Sequence, residues 1–121
     1  MSHSHDKEYD LERRTFIFAK KCRLFVKKIP TSIAHTEDAR QSVRSSGSVH
    51  ANFIEASEAI SEKDFIHRVK ICRKEAKESR SWIALIEAPR NATEKKDLLQ
   101  EALELTKIFG AIIEKKKHIS S

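Results

Sequence analysis

"RSSGSVHANFIEA", residues 44–56, decides how this chain folds. Charged residues make up 35% of the chain, yet the run from Ser45 to Ile54 carries none, and most of its residues are small. A stretch that opens on Ser-Ser-Gly-Ser reads either as a flexible linker or as part of a helix packed on more than one side. Steps of four and three from Ala39 pick out Val43, Ser46, His50, Phe53, Ser57 and Ile60. A second row beside it holds Ser45, Val49, Asn52, Ala56 and Ala59, and Gly47, Ala51 and Ile54 fill most of what remains. A linker has no reason to keep two helical registers free of charge. A helix between two neighbours has one, because an unpaired charge is costly to bury. The pattern therefore predicts a helix, although Gly and several Ser cost roughly 0.5–1 kcal/mol each against Ala. Packing has to offset that.

The rest of the chain agrees. It has 121 residues, the size of one domain. Only two Gly and two Pro argue against an all-β fold with many tight turns. Breaks at Pro30, Ser61 and Pro89 leave four segments of roughly 20 to 25 residues, each with apolar positions at helical spacing. The first segment's row is Leu11, Thr15, Phe18, Cys22, Phe25 and Ile29; the third's is Phe65, Val69, Cys72, Ala76, Ser79, Ile83 and Ile86. The fourth's is Leu98, Ala102, Leu105, Phe109 and Ile112. Helices are predicted at about 8–29, 37–60, 62–88 and 93–117, after a disordered tail at 1–6. Thr36 is the expected cap of the second helix, and Ser61/Asp64 and Asn91/Glu94 the capping boxes of the third and fourth. Lys115, Lys116 and Lys117 are expected in the final turn, where cations suit the helix dipole. The fold class is an all-α, antiparallel, up-down four-helix bundle in a single domain.

Several functions are disfavoured. No apolar run approaches a membrane span, and "MSHSHDKEYD" is no signal peptide. Cys22 and Cys72 match no metal spacing and read as small core residues with reduced thiols, consistent with the cytoplasm. His3 and His5 read as tail rather than as metal ligands. No nucleophile elbow, phosphate loop or paired-carboxylate motif is present. Asn52, Glu55 and His50 read as hydrogen-bonding residues that set packing, not as catalytic groups. No enzyme, cofactor or small-molecule substrate is expected.

Charge points elsewhere. The net charge is +6. Beside the first helix's inward row stand Arg13 and Arg14, Lys20 and Lys21, Lys27 and Lys28, with no acid between Thr15 and Ile29. This ladder reads as a phosphate-binding face or as a solvating one. Few aromatics interleave with it, so base stacking is not indicated. The third helix adds Arg68, Lys70, Arg73, Lys74, Lys77 and Arg80, spread around it among acids and open to intrahelical ion pairing. Of these, Arg73, Lys77 and Arg80 join the six ladder residues as candidate contacts to nucleic acid or a partner. Phe16, Ile17, Leu24 and Val26 make the first helix's apolar surface wider than one bundle contact needs. Phe16, Leu24, Ser45, Val49 and Asn52 are the candidate subunit interface.

Residues 41–86 also carry a resemblance. The Arg44-Ser45 pair, Ser48, Ala51-Asn52 and Glu55-Ala56 are followed by Ser61, Lys63, Asp64 and Phe65, then Glu75, Ala76, Glu78, Ser79 and Trp82. The pattern resembles a bacterial four-helix-bundle family. It includes proteins encoded in intervening sequences of large-subunit ribosomal RNA genes. It also includes the accessory variability determinant (Avd) proteins of diversity-generating retroelements. Alanines at 56 and 59 depart from it, since many members have Gly at the first of these positions. The resemblance implies pentameric rings, a basic surface or pore that binds nucleic acid and, in the retroelement branch, a reverse transcriptase partner.

Overall fold

The computed structural model describes the backbone of residues 3–120 and the side chains of residues 10–117. Four helices follow one another: α1 (His3–Lys27), α2 (Ile33–Ser57), α3 (Glu62–Leu85) and α4 (Ala92–Ser120). Short connections make successive helices antiparallel neighbours. Contacts close the cycle α1–α2–α3–α4–α1, with α2–α3 the most extensive and α1–α4 the thinnest. The stretch 44–56 lies within α2 and is helical throughout.

The helix ends refine the expectation. α2 starts at Ile33, four residues early, because Ser32 rather than Thr36 is the cap: Ser32 Oγ accepts from the His35 N–H. Thr36 instead donates its hydroxyl to the Ser32 carbonyl. Ser61 caps α3 as expected, accepting from the Asp64 N–H. The Asn91 amide donates to Glu94 at the start of α4. α1 runs from His3, ahead of the expected start at 8; Met1 and Ser2, the beginning of the expected tail, lie outside the described residues. α4 continues to Ser120, so Lys115, Lys116 and Lys117 stand before its last turn.

The inward row of α1 is buried from Leu11 to Ile29. On α3, Val69 to Ile86 are buried and Phe65 is half-buried. On α4 the last core residue among the described ones is Ile113, with Ile112 packed beside it, because the row turns by one residue over the helix's length. On α2 the buried residues are Ser42, Ser45, Ser46, Val49, Phe53 and Ala56. The row through Ser45 and Val49 faces the core, while Ser57 and Ile60 of the other row end in solvent.

Small side chains set how closely α2 and α3 meet. The Ser45 and Ser79 hydroxyls approach to 2.9 Å with both residues fully buried, and each also reaches a carbonyl of its own helix at 2.8 Å, Gln41 and Glu75 respectively. No buried hydroxyl is left unpaired, which removes the cost of polar groups in the seam. Gly47 lies on a different flank: a methyl there would meet Arg23 Nη2 at 3.1 Å. An arginine from α1 occupies that place, not another backbone.

Candidate nucleic-acid interface

The six-residue ladder on α1 is divided by the bundle. Arg14 turns toward α4, where its Nε and Nη2 bind Glu101 at 3.2 and 2.6 Å and Nη2 lies 3.6 Å from Glu104. That hydrogen bond to Glu101 holds the guanidinium proton more firmly than usual. Lys28 reaches Glu94 at 3.1 Å. Hydrogen bonds from Asn91 and then Lys28 hold the Glu94 carboxyl below its ordinary range. Lys21 lines the groove of about 530 Å³ between α1 and α4, opposite Asp97, Glu101 and Glu104. Arg14 and Lys28 bridge the thin α1–α4 seam, and Lys21 is exposed at its edge.

Arg13, Lys20 and Lys27 are exposed and form no ion pair among the described residues. Seven-residue spacing places them about 10.5 Å apart along the helix. Exposed apolar groups interleave with them: Phe16 is 51% and Leu24 47% exposed. Phe16 also meets His50 edge to face at 5.5 Å, and His50 Nδ1 lies 3.0 Å from the Thr15 hydroxyl, which fastens α1 to α2. Val26 packs against the core instead.

The interface expectation needs correction on α2. Ser45 and Val49 are 0% exposed within the single chain, so neither offers surface to a neighbouring subunit. Their row packs on α3, where Cys72 Sγ also reaches the Val49 carbonyl. Asn52 is half-buried and engaged inside the chain: it donates to the Ser48 carbonyl and hydroxyl and accepts from Arg68 Nη1 at 3.1 Å. Of the five interface candidates, Phe16 and Leu24 retain a large exposed area.

Sequence reading left α3 undecided, and the bundle sorts its charges. No intrahelical ion pair forms on α3 among the described residues. Glu75 and Glu78 both bind Arg44 of α2, at 2.9 and 3.1 Å, and Glu62 binds Lys116 of α4 at 3.2 Å. Burial acts to raise the Glu75 carboxyl; hydrogen bonding with Glu78, Ser48 and Arg44 outweighs it, so the group titrates below its ordinary range. Lys63, Lys70, Lys74 and Lys77 are exposed and form no ion pair among the described residues. At 100° per residue they fall within about 60° of one another on the outer face. Arg80 is exposed beside them, and the Arg73 stem rests against Gly110 of α4. On the same count Arg73, Lys77 and Arg80 also fall within about 60° of one another, and Lys77 belongs to both rows; of the three, Arg73 is half-buried while Lys77 and Arg80 are exposed. The signal that finds the lysine row is the spacing of seven, four and three.

Among the described residues no group of His, Cys, Asp and Glu is placed to hold a metal ion, and the side chains of His3 and His5 lie outside them. Cys22 and Cys72 are free and fully buried; burial raises both thiols, Cys72 to about 12. A hollow of about 630 Å³ at the end of the bundle is lined by Lys28, Arg90, Asp38 and Glu87, so it favours neither sign of charge. No described helix is long and apolar enough to cross a membrane.

Comparison with known proteins bears on the whole bundle. A solved structure from Bacteroides thetaiotaomicron, described as a protein of unknown function from the S23 ribosomal protein family, is similar with a TM-score of 0.76 and 25% identity. The match covers 89% of this chain and 98% of that one. Comparison with curated proteins gives no match. The family model for 23S rRNA-intervening sequence proteins matches residues 7–111, and the chain belongs to that family.

Proposed function

We propose that this chain is a non-enzymatic, oligomeric helical bundle that binds the phosphate backbone of nucleic acid, RNA foremost, as an accessory factor in the cytoplasm. One observation carries the reading: the segregation of charge by the fold. Glu62, Glu75, Glu78, Glu94, Glu101 and Glu104 are each tied to a cation outside their own helix. Arg13, Lys20 and Lys27 on α1, and Lys63, Lys70, Lys74 and Lys77 on α3, face water without an ion pair among the described residues. Solvated faces of mixed sign bring little net attraction to a polyanion; on these two faces the cations outnumber the exposed acids, Asp10 near Arg13 and Asp64 beside Lys63. Lysine is a point charge suited to phosphate, and no exposed Phe, Tyr or Trp stands in the α3 row to stack on bases. Contacts of this kind position a protein on a backbone with little sequence preference. The family's connection with 23S rRNA supports RNA. The uncovered Phe16, Ile17 and Leu24 support self-association, and the resemblance to ring-forming bundles supports five subunits.

Fluorescence anisotropy with a labelled RNA hairpin and a DNA duplex, over a range of salt, tests the reading. Binding should depend little on sequence and fall steeply as salt rises. In-line light scattering should give a mass five times that of the 13.9 kDa chain.

A second reading has its own observation. The exposed apolar residues of α1 also suit a protein partner, so an adaptor that docks on a reverse transcriptase is the alternative. If the wild-type protein ignores both RNA and DNA at low salt, the adaptor reading replaces the first. Capture of the reverse transcriptase, lost on Phe16→Ser with Leu24→Ser, would then support it.

A further inference from the structure

We infer that the outer face of α3, not the α1 ladder, is the surface on which the RNA backbone lies. This rests on the nucleic-acid reading above and assigns its contact residues. Lys63 to Lys77 span fourteen residues, about 21 Å of helix. Successive lysines stand about 10.5, 6 and 4.5 Å apart along it, distances over which one cation meets every one to three phosphates of a strand. His67 and Ser81 complete the strip, and neither is acidic. Three of the four acids of α3 are drawn away from it: Glu75 is buried, Glu78 turns to Arg44, and Glu62 to Lys116; Asp64, exposed in the first turn beside Lys63, lies about 100° around the helix from that lysine. Arg80 adds an exposed charge at the edge of the strip.

The α1 face lacks these properties. Two of its six ladder residues, Arg14 and Lys28, form ion pairs across the α1–α4 seam, and Lys21 is exposed on a groove that Asp97, Glu101 and Glu104 also line. The three outward cations alternate with Phe16, Ile17 and Leu24. Apolar groups pressed on a phosphate backbone displace water from phosphates without replacing its hydrogen bonds. In the cyclic order of the bundle α1 and α3 are diagonal, so the two faces point apart. One face can then carry RNA while the other is covered by protein.

The test uses the whole protein and a labelled RNA hairpin with about twenty base pairs. Lys70→Gln with Lys74→Gln removes two charges from α3; Lys20→Gln with Lys27→Gln removes two from α1. The α3 variant should bind on the order of tenfold more weakly at low salt, and its salt slope should fall by about 1.4 to 1.8. The α1 variant should stay within about twofold of wild type with its slope unchanged. Helicity and mass should be unchanged in both. Lys63→Gln with Lys77→Gln provides a second α3 variant should the first fold poorly, and the same loss is expected. A DNA duplex should respond to the same residues, because an ammonium group reads charge and not the 2′-hydroxyl. If wild type binds and the α1 variant loses affinity while both α3 variants keep it, this assignment is overturned and the nucleic-acid reading stands. Equal losses from both faces overturn it as well. If wild type binds no nucleic acid, both fall together.

Discussion

Arg44 of α2 grips Glu75 of α3 from the protein surface: its Nη1 donates to a carboxylate oxygen at 2.9 Å, with the Arg44 side chain 51% exposed and that of Glu75 only 7%. The same guanidinium bonds Glu78 through Nη2 and Gln41 through Nε. A buried carboxylate is tolerable only with such partners. Arg44→Ala leaves the carboxylate with fewer of them and should destabilise the bundle by about 1–3 kcal/mol. Chemical denaturation measures this.

The Glu75 carboxyl titrates below its ordinary value of 4.5 in the folded chain. Between the two values the unfolded chain binds more protons than the folded one, so stability rises with pH there. The contribution is complete above about 4.5 and is lost as pH falls through the folded value. Glu75→Gln should therefore flatten the acid limb of a stability–pH profile, while wild type loses stability below that pH. An unchanged acid limb would mean that Glu75 is not held as described.

Val49 is fully buried against α3. Val49→Ala should cost about 2 kcal/mol without altering the mass of the assembly. Val49→Glu should unfold the chain rather than dissociate it. Folded monomers of Val49→Glu, seen by circular dichroism with light scattering, would instead return Val49 to a subunit interface.

Gly47→Ala tests how α2 is covered. The added methyl would meet only the far end of Arg23, at 3.1 Å, and that end can swing aside. Gly to Ala within a helix gains about 0.8–1 kcal/mol. The substitution should be neutral to stabilising in thermal melts. Marked disruption would show that another backbone meets α2 there.

Both thiols should be silent in the folded protein. Burial holds Cys72 protonated up to about 12 and raises Cys22 as well. A disulfide-exchange reagent at pH 8 should label neither residue natively and both in denaturant, since the thiolate is the reactive form.

Local spacing by itself determined the four helices and nearly all of their inward rows, from Leu11 to Ile29 on α1 and from Val69 to Ile86 on α3. This was possible because burial on a helix repeats every three to four residues whatever the neighbour is. It also resolved residues 44–56 as helix, since two adjacent rows free of charge have no other economical explanation. Tertiary structure decided what periodicity cannot encode: which row of α2 faces inward, and where each charge finds its partner. Ser45 and Val49 look alike as core or interface residues until α3 is placed against them. The α1 ladder looks uniform along one helix, but Arg14 and Lys28 find Glu101 and Glu94 some seventy to ninety positions away in the chain. On α3 the acids that seemed able to neutralise the lysines are drawn off by Arg44 and Lys116. Ion pairing depends on distance in space, and only the packed bundle brings residues of different helices within 4 Å.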